Sequence, residues 1–109
     1  MLQQANRLKK RKEFGYIYRN GTALYSKDLV VMYTTNKFKR TKFGFAVSNK
    51  VGKAYVRNMV KRRLRAIVRL NMASVVSSRN YVIIARPTIA SCTYEDVEQQ
   101  LLQLLSKVQ

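Results

Sequence analysis

Apolar positions along this chain recur with two periods, 3.6 and 2, and the switches between them mark its elements. Over KKRKEFGYIYRNG, residues 9 to 21, Phe14, Ile17 and Tyr18 recur at helical spacing, and Gly21 fits the position just past a helix end. TALYSKDLVVMYTT follows as two extended pieces broken near Ser26-Lys27-Asp28, and KFKRTK reads as a basic hairpin connection. TKFGFAVSN sets Phe43, Phe45 and Val47 on one side and reads as a strand. Ala54 to about Asn71 carries the main helix. SSRN is a turn, and NYVIIAR is a buried strand stopped by Pro87. A last helix starts near Thr93. Asp96 is placed to complete its cap, Glu95 and Asp96 suit its N-terminal dipole, and Val97, Leu101, Leu104, Leu105 and Val108 form its apolar stripe. The order αβββαβα predicts a two-layer α+β domain, a four-stranded mixed sheet with helices packed on it.

The 109 residues suffice for one domain, 1–109, with residues 1 to 8 as a basic arm. The apolar runs LVVMY and YVIIA are strand-length, and the basic N-terminal stretch has no apolar segment after it. Neither a signal peptide nor a membrane partner is expected. Cys92 is alone, which excludes a disulfide framework within the chain, fits a cytoplasmic setting and marks the thiol as an inert small residue. Charge changes the picture most. There are 22 Lys and Arg against 5 Asp and Glu, and from Leu29 to Tyr94 no acid occurs among 14 cations. Such self-repulsion opposes compactness unless a polyanion relieves it, so nucleic acid is the expected partner.

The cations concentrate on the main helix. At about 100° per residue with Val56 at zero, Val60, Leu64, Ile67, Leu70 and Met59 fall within about 80° of it, an apolar face. Arg57, Lys61, Arg65, Asn58, Arg69 and Arg62 span about 100° to 240°, a basic face. Arg63 must reach past the core edge, and Val68 sits among the cations. A solvated helix would interleave glutamates to relieve the like-charge pairs 57/61, 61/65 and 65/69, and this one has none. The face instead suits a folded phosphate backbone, with Arg forking onto phosphate oxygens and Asn58 reaching a ribose or base edge.

VRNMVKRRLR resembles the arginine–asparagine signature of the bacterial ribonuclease P protein subunit, with Arg57, Asn58, Lys61, Arg62 and Arg65 on its pattern. NRLKKRKEFGYIYRNG, FGFAVSNKVGKAYVRN and NYVIIARPTIA resemble the rest of that family, so the likeness spans nearly the whole chain. Met59 stands where the signature often has Arg, and Ser48-Asn49-Lys50 where Ser-Lys-Lys is frequent. Each departure removes one possible RNA contact. The resemblance implies the small protein partner of a catalytic RNA that cleaves the 5′ leader from precursor tRNA. The RNA and its bound Mg²⁺ would carry the chemistry, and the protein would strengthen metal and substrate binding. It also implies a left-handed βαβ crossover, against the usual right-handed rule. Lys53, Arg57, Asn58, Lys61, Arg62, Arg65 and Arg69 would then bind the RNA subunit. Phe14, Tyr18, Tyr33, Lys50 and Arg86 would line a cleft for the single-stranded leader. Phe14, Tyr18 and Tyr33 fit this cleft and a buried core equally, whereas Phe43 reads as core.

The chain's own chemistry agrees with a binder. It has no His, Glu95, Asp96 and Glu98 sit where helix-dipole charges belong, and nothing positions Lys50 or Lys61 as a base. No catalytic residue, metal ligand or small-molecule substrate is expected on it. Two other classes fit the basicity: a ribosomal or RNA-assembly protein without a role in cleavage, and a duplex-DNA reader with the main helix in a major groove.

Overall fold

The computed structural model describes residues 6–36 and 40–109. Its main elements are α1 (Arg11–Asn20), β1 (Thr22–Tyr25), β2 (Leu29–Thr35), β3 (Lys42–Ala46), α2 (Ala54–Leu70), β4 (Arg79–Ala85) and α3 (Tyr94–Leu105), the expected order. The sheet runs β1-β2-β4-β3. β1/β2 and β2/β4 are antiparallel, β3/β4 is parallel, and α2 makes the β3-to-β4 crossover. The basic connection expected over 37–42 falls partly on residues 37–39, outside the described residues.

Central strands β2 and β4 bury consecutive residues, Leu29, Val30 and Val31 on one and Tyr81, Val82 and Ile83 on the other. Because neighbouring side chains point to opposite faces, an unbroken apolar run needs cover on both. The cover differs between them. Leu29, Val31, Phe43, Tyr81 and Ile83 join the main core with residues of α2 and α3, including Val60, Leu64, Ile67, Val97 and Leu101. Val82 joins a second cluster with Leu8 and Ile17, flanked by Phe14, Met32, Ala46 and Ile84. Helix α1 therefore lies on the face opposite α2 and α3. The expected mixed sheet with helices packed on it is thus covered by them on both faces.

Residues 6 to 8, expected as part of a basic arm, are docked; residues 1–5 lie outside the described ones. Arg7 bridges Phe43 in parallel fashion, the Leu8 amide donates to the Phe43 carbonyl at 2.8 Å, and Asn6 Nδ2 donates to the Thr41 carbonyl at 2.7 Å. The segment takes up part of the outer edge of β3, whose backbone groups would otherwise need water. At the other end, Thr93 Oγ1 accepts from the Asp96 amide at 3.2 Å, and the Thr93 amide donates to Asp96 Oδ2 at 3.4 Å. This reciprocal cap fixes the start of α3 where the sequence placed it.

Candidate nucleic-acid interface

The chain enters α2 through Gly52, whose φ of 154° favours glycine; a Cβ there would come within 3.2 Å of Val56. The first turn of α2 has no acid, and Lys53 stands at its N-cap without a side-chain cap. A cation at the positive end of a helix dipole is unfavourable in isolation, and a bound anion relieves it. Arg57 folds back, its Nε donating to the Gly52 carbonyl at 3.1 Å. At the other end Asn71 Nδ2 donates to the Ile67 carbonyl at 2.8 Å, satisfying one terminal acceptor.

The rotation of α2 differs from the sequence reading. Val60, Leu64, Ile67 and Val68 are its buried residues, and their directions centre near about 65° on the wheel that puts Val56 at zero. Val68, expected among the cations, is fully buried, whereas Leu70, expected on the apolar face, is 63% exposed. The shift follows from what the helix packs on. Its neighbours are α3 and the core face of the sheet, and the last turn carries Leu70 away from both. Opposite the buried arc, Tyr55, Asn58, Arg62 and Arg69 are exposed, while Arg57, Lys61 and Arg65 are half-buried on the flank. Arg65 lies 5.7 Å from the Phe45 ring centroid, a cation–π contact that steadies its guanidinium. Arg63 crosses the core edge as its position required and donates to the Cys92 carbonyl at 3.1 Å. Tyr55, Asn58, Lys61, Arg62 and Arg65 line a groove of about 460 Å³.

The aromatic residues expected to share a cleft are divided by the sheet. Phe14 packs from α1 onto the second cluster, directly over Gly44, and Tyr18, one turn on, is 46% exposed. Tyr33 points to the other face. Its ring lies 6.2 Å from that of Tyr81, and its hydroxyl accepts from the Gln109 amide at 3.5 Å. One step along a strand changes face, so Met32 takes the α1-side position. Arg86 belongs to that side too, 5.7 Å from the ring centroid of Tyr25, an exposed tyrosine the sequence reading passed over. Lys50 is exposed on the short turn Asn49–Val51 between β3 and α2. Phe43 is core as expected, stacked on Tyr81 with centroids 4.8 Å apart.

Away from both surfaces, buried Asp28 accepts from Gln100 Nε2 at 2.7 Å and from Cys92 Sγ at 3.1 Å. The neighbouring Thr88 hydroxyl, ahead of Gln100 and Cys92, holds its carboxyl below the usual range. Burial first, and then Asp28, pushes the Cys92 thiol up to about 11, so it stays protonated and unreactive at neutral pH. Among the described residues no three Cys, Asp or Glu side chains converge as metal ligands.

The family model for Ribonuclease P matches residues 2–109. The chain is 36% identical over 107 residues to the ribonuclease P protein component of Alkaliphilus metalliredigens, covering 98% of this chain and 96% of the relative. It is 39% identical over 104 residues to that of Clostridium botulinum, covering 94% and 93%. Among solved structures, the RNase P protein from Thermotoga maritima superposes with a TM-score of 0.88 at 30% identity, covering 94% of this chain and 97% of that one. The RNase P protein of Staphylococcus aureus gives a TM-score of 0.86 at 29% identity, covering 94% of each chain.

Proposed function

The chain belongs to the ribonuclease P protein family, and from that premise we propose that its two surfaces divide the work, α2 holding the RNA subunit and the α1 face holding the leader of precursor tRNA. The chain is the RNA-binding protein component of a ribonucleoprotein enzyme of tRNA 5′ processing. The ribosomal or assembly alternative is not favoured by these relatives. The observation that carries the assignment of α2 is its outward face, where Asn58, Arg62 and Arg69 are exposed and no acid occurs between Leu29 and Tyr94. Phosphate is the ligand that such a face accommodates, since each contact relieves the repulsion among the cations and releases counterions from the RNA.

On the α1 face, Phe14, Tyr18 and Arg86 are the residues retained from the expected cleft, with Met32 and Tyr25 added. Tyr33 is removed from it, because its ring faces α3 and the C-terminus. Half-exposed rings beside cations suit a flexible single strand, whose bases are free to stack. Lys50, Lys53, Lys61 and Arg65 supply further positive charge along the β3–α2 side.

Bond cleavage belongs, in this proposal, to the RNA partner. The chain has no His, and no carboxylate cluster forms among its described residues. The Mg²⁺ is assigned in this proposal to the RNA and substrate, whose phosphate oxygens are the hard ligands it prefers. Among the described residues no helix is long and apolar enough to cross a membrane, and we place the complex in the cytoplasm with its tRNA substrates. The test is reconstitution with a ribonuclease P RNA at low Mg²⁺, scoring cleavage at the mature 5′ end. Addition of the protein should restore cleavage that the RNA alone performs poorly, and RNA-free protein should give none. Correct cleavage by RNA-free protein would overturn the division of labour.

A further inference from the structure

The outward face of α2 is basic but includes one ring. Tyr55, in the first turn, is 73% exposed, the highest of the large apolar side chains exposed among the described residues. Nothing in the packing of α2 accounts for it, because the buried arc lies on the far side of the helix. On the wheel Tyr55 falls within about 20° of Arg62 and about 60° of Asn58, and the three share the groove of about 460 Å³ with Lys61 and Arg65.

We propose that this groove takes an unpaired base of the folded RNA partner, stacked on the ring of Tyr55. The chemistry of the lining fits one nucleotide. Tyr55 offers a flat apolar surface in water, which a base covers with little loss of side-chain freedom. Asn58, one turn on, carries an amide donor and an amide acceptor and faces a base edge. Arg62, one further turn along the same line, and Lys61 meet the phosphates on either side. Arg65 is steadied by its contact with Phe45. A fully paired helix has no free base face to offer, so the site selects a bulge, loop or junction over a duplex. This rests on the reading of α2 as the RNA-subunit surface and deepens it: the face grips phosphate by charge and locates a particular unpaired position by stacking.

The chain contains no Trp, so Tyr55→Trp installs a single reporter at the site on an exposed position. Its emission should be quenched on titration with ribonuclease P RNA and unchanged on titration with a fully paired RNA duplex. Tyr55→Ala should weaken assembly with the RNA by roughly 5- to 150-fold, the equivalent of one stacked base, with the salt dependence unaltered because no charge is removed. Tyr55→Phe should bind like the parent, and Tyr55→Leu like the alanine variant. Arg62→Ala, measured alongside, should weaken assembly and lower the log–log salt slope by about one unit. If Arg62→Ala changes neither affinity nor slope, the reading of α2 itself fails. If Arg62→Ala behaves as expected while Tyr55→Ala binds like the parent, or paired duplex quenches the Tyr55→Trp emission equally, the stacking site is wrong and the reading of α2 stands.

Discussion

Gly44 on β3 lies directly beneath Phe14, and the pair sets how closely α1 approaches the sheet. A Cβ built on Gly44 would fall 2.4 Å and 2.5 Å from two carbons of the Phe14 ring and 3.2 Å from a Leu8 methyl. Carbon atoms pack at about 3.5–4.0 Å, so in Gly44→Ala the ring must retreat by roughly 1 Å or more. Leu8 and Ile17 are buried beside it and hold α1 in place. The expected cost is that of overpacking, about 1–3 kcal/mol, reduced by the roughly 0.5–1 kcal/mol that a strand gains from replacing glycine. Phe14→Ala removes a half-buried ring and should cost less than the about 3–5 kcal/mol of a fully buried one. In the Phe14→Ala background only the 3.2 Å approach to the end of the Leu8 side chain remains, so Gly44→Ala should become close to neutral. A double-mutant cycle by urea unfolding should therefore return a coupling of about 1–3 kcal/mol with the double variant less destabilised than the sum. Additivity within about 0.5 kcal/mol would refute the placement of Phe14 over Gly44. Because Phe14 also belongs to the proposed leader surface, Gly44→Ala should shrink the preference for leader-bearing over mature tRNA while leaving assembly with the RNA subunit near its parent value.

Affinity for the RNA subunit should fall steeply with ionic strength, at a log–log slope of several units; a flat response in a filter-binding titration would remove the phosphate argument. Arg57→Ala with Arg62→Ala should weaken assembly and affect precursor and mature tRNA binding alike, scored by paired titrations. Burial holds Cys92 up to about 11 and Tyr81 up to about 12, from ordinary values of 9.0 and 10.0. The unfolded chain releases these protons first, so stability is intact below pH 9 and declines as the pH rises through 11 toward 12. Urea midpoints across that range should show the decline, and Cys92→Ala should remove its lower part. Thr93→Ala breaks the reciprocal cap of α3 and should cost about 1 kcal/mol of stability by the same measurement.

Much of this protein was legible in its sequence because the controlling interactions are local. Helical spacing of Phe14 and Ile17, alternation over Phe43, Phe45 and Val47, and the Thr93–Asp96 cap each act within a few residues, and the elements formed where they pointed. The acid-free stretch and the arginine–asparagine signature sufficed to indicate a polyanion partner and the family. Tertiary structure decided which face each side chain serves. Tyr33 and Met32 differ by one position, and only the packing of α1 on one side and of α2 and α3 on the other assigns Met32 to the α1 side of the sheet and Tyr33 to the opposite side. The continuous apolar runs of β2 and β4 carried the signal that both faces are covered, but not which helix covers which. The rotation of α2 likewise came from its neighbours, which draw in Val68, release Leu70 and leave Tyr55 outward. Periodicity fixes the width of an apolar arc. Its direction is set by the surfaces it meets, and those are assembled from residues distant in the chain.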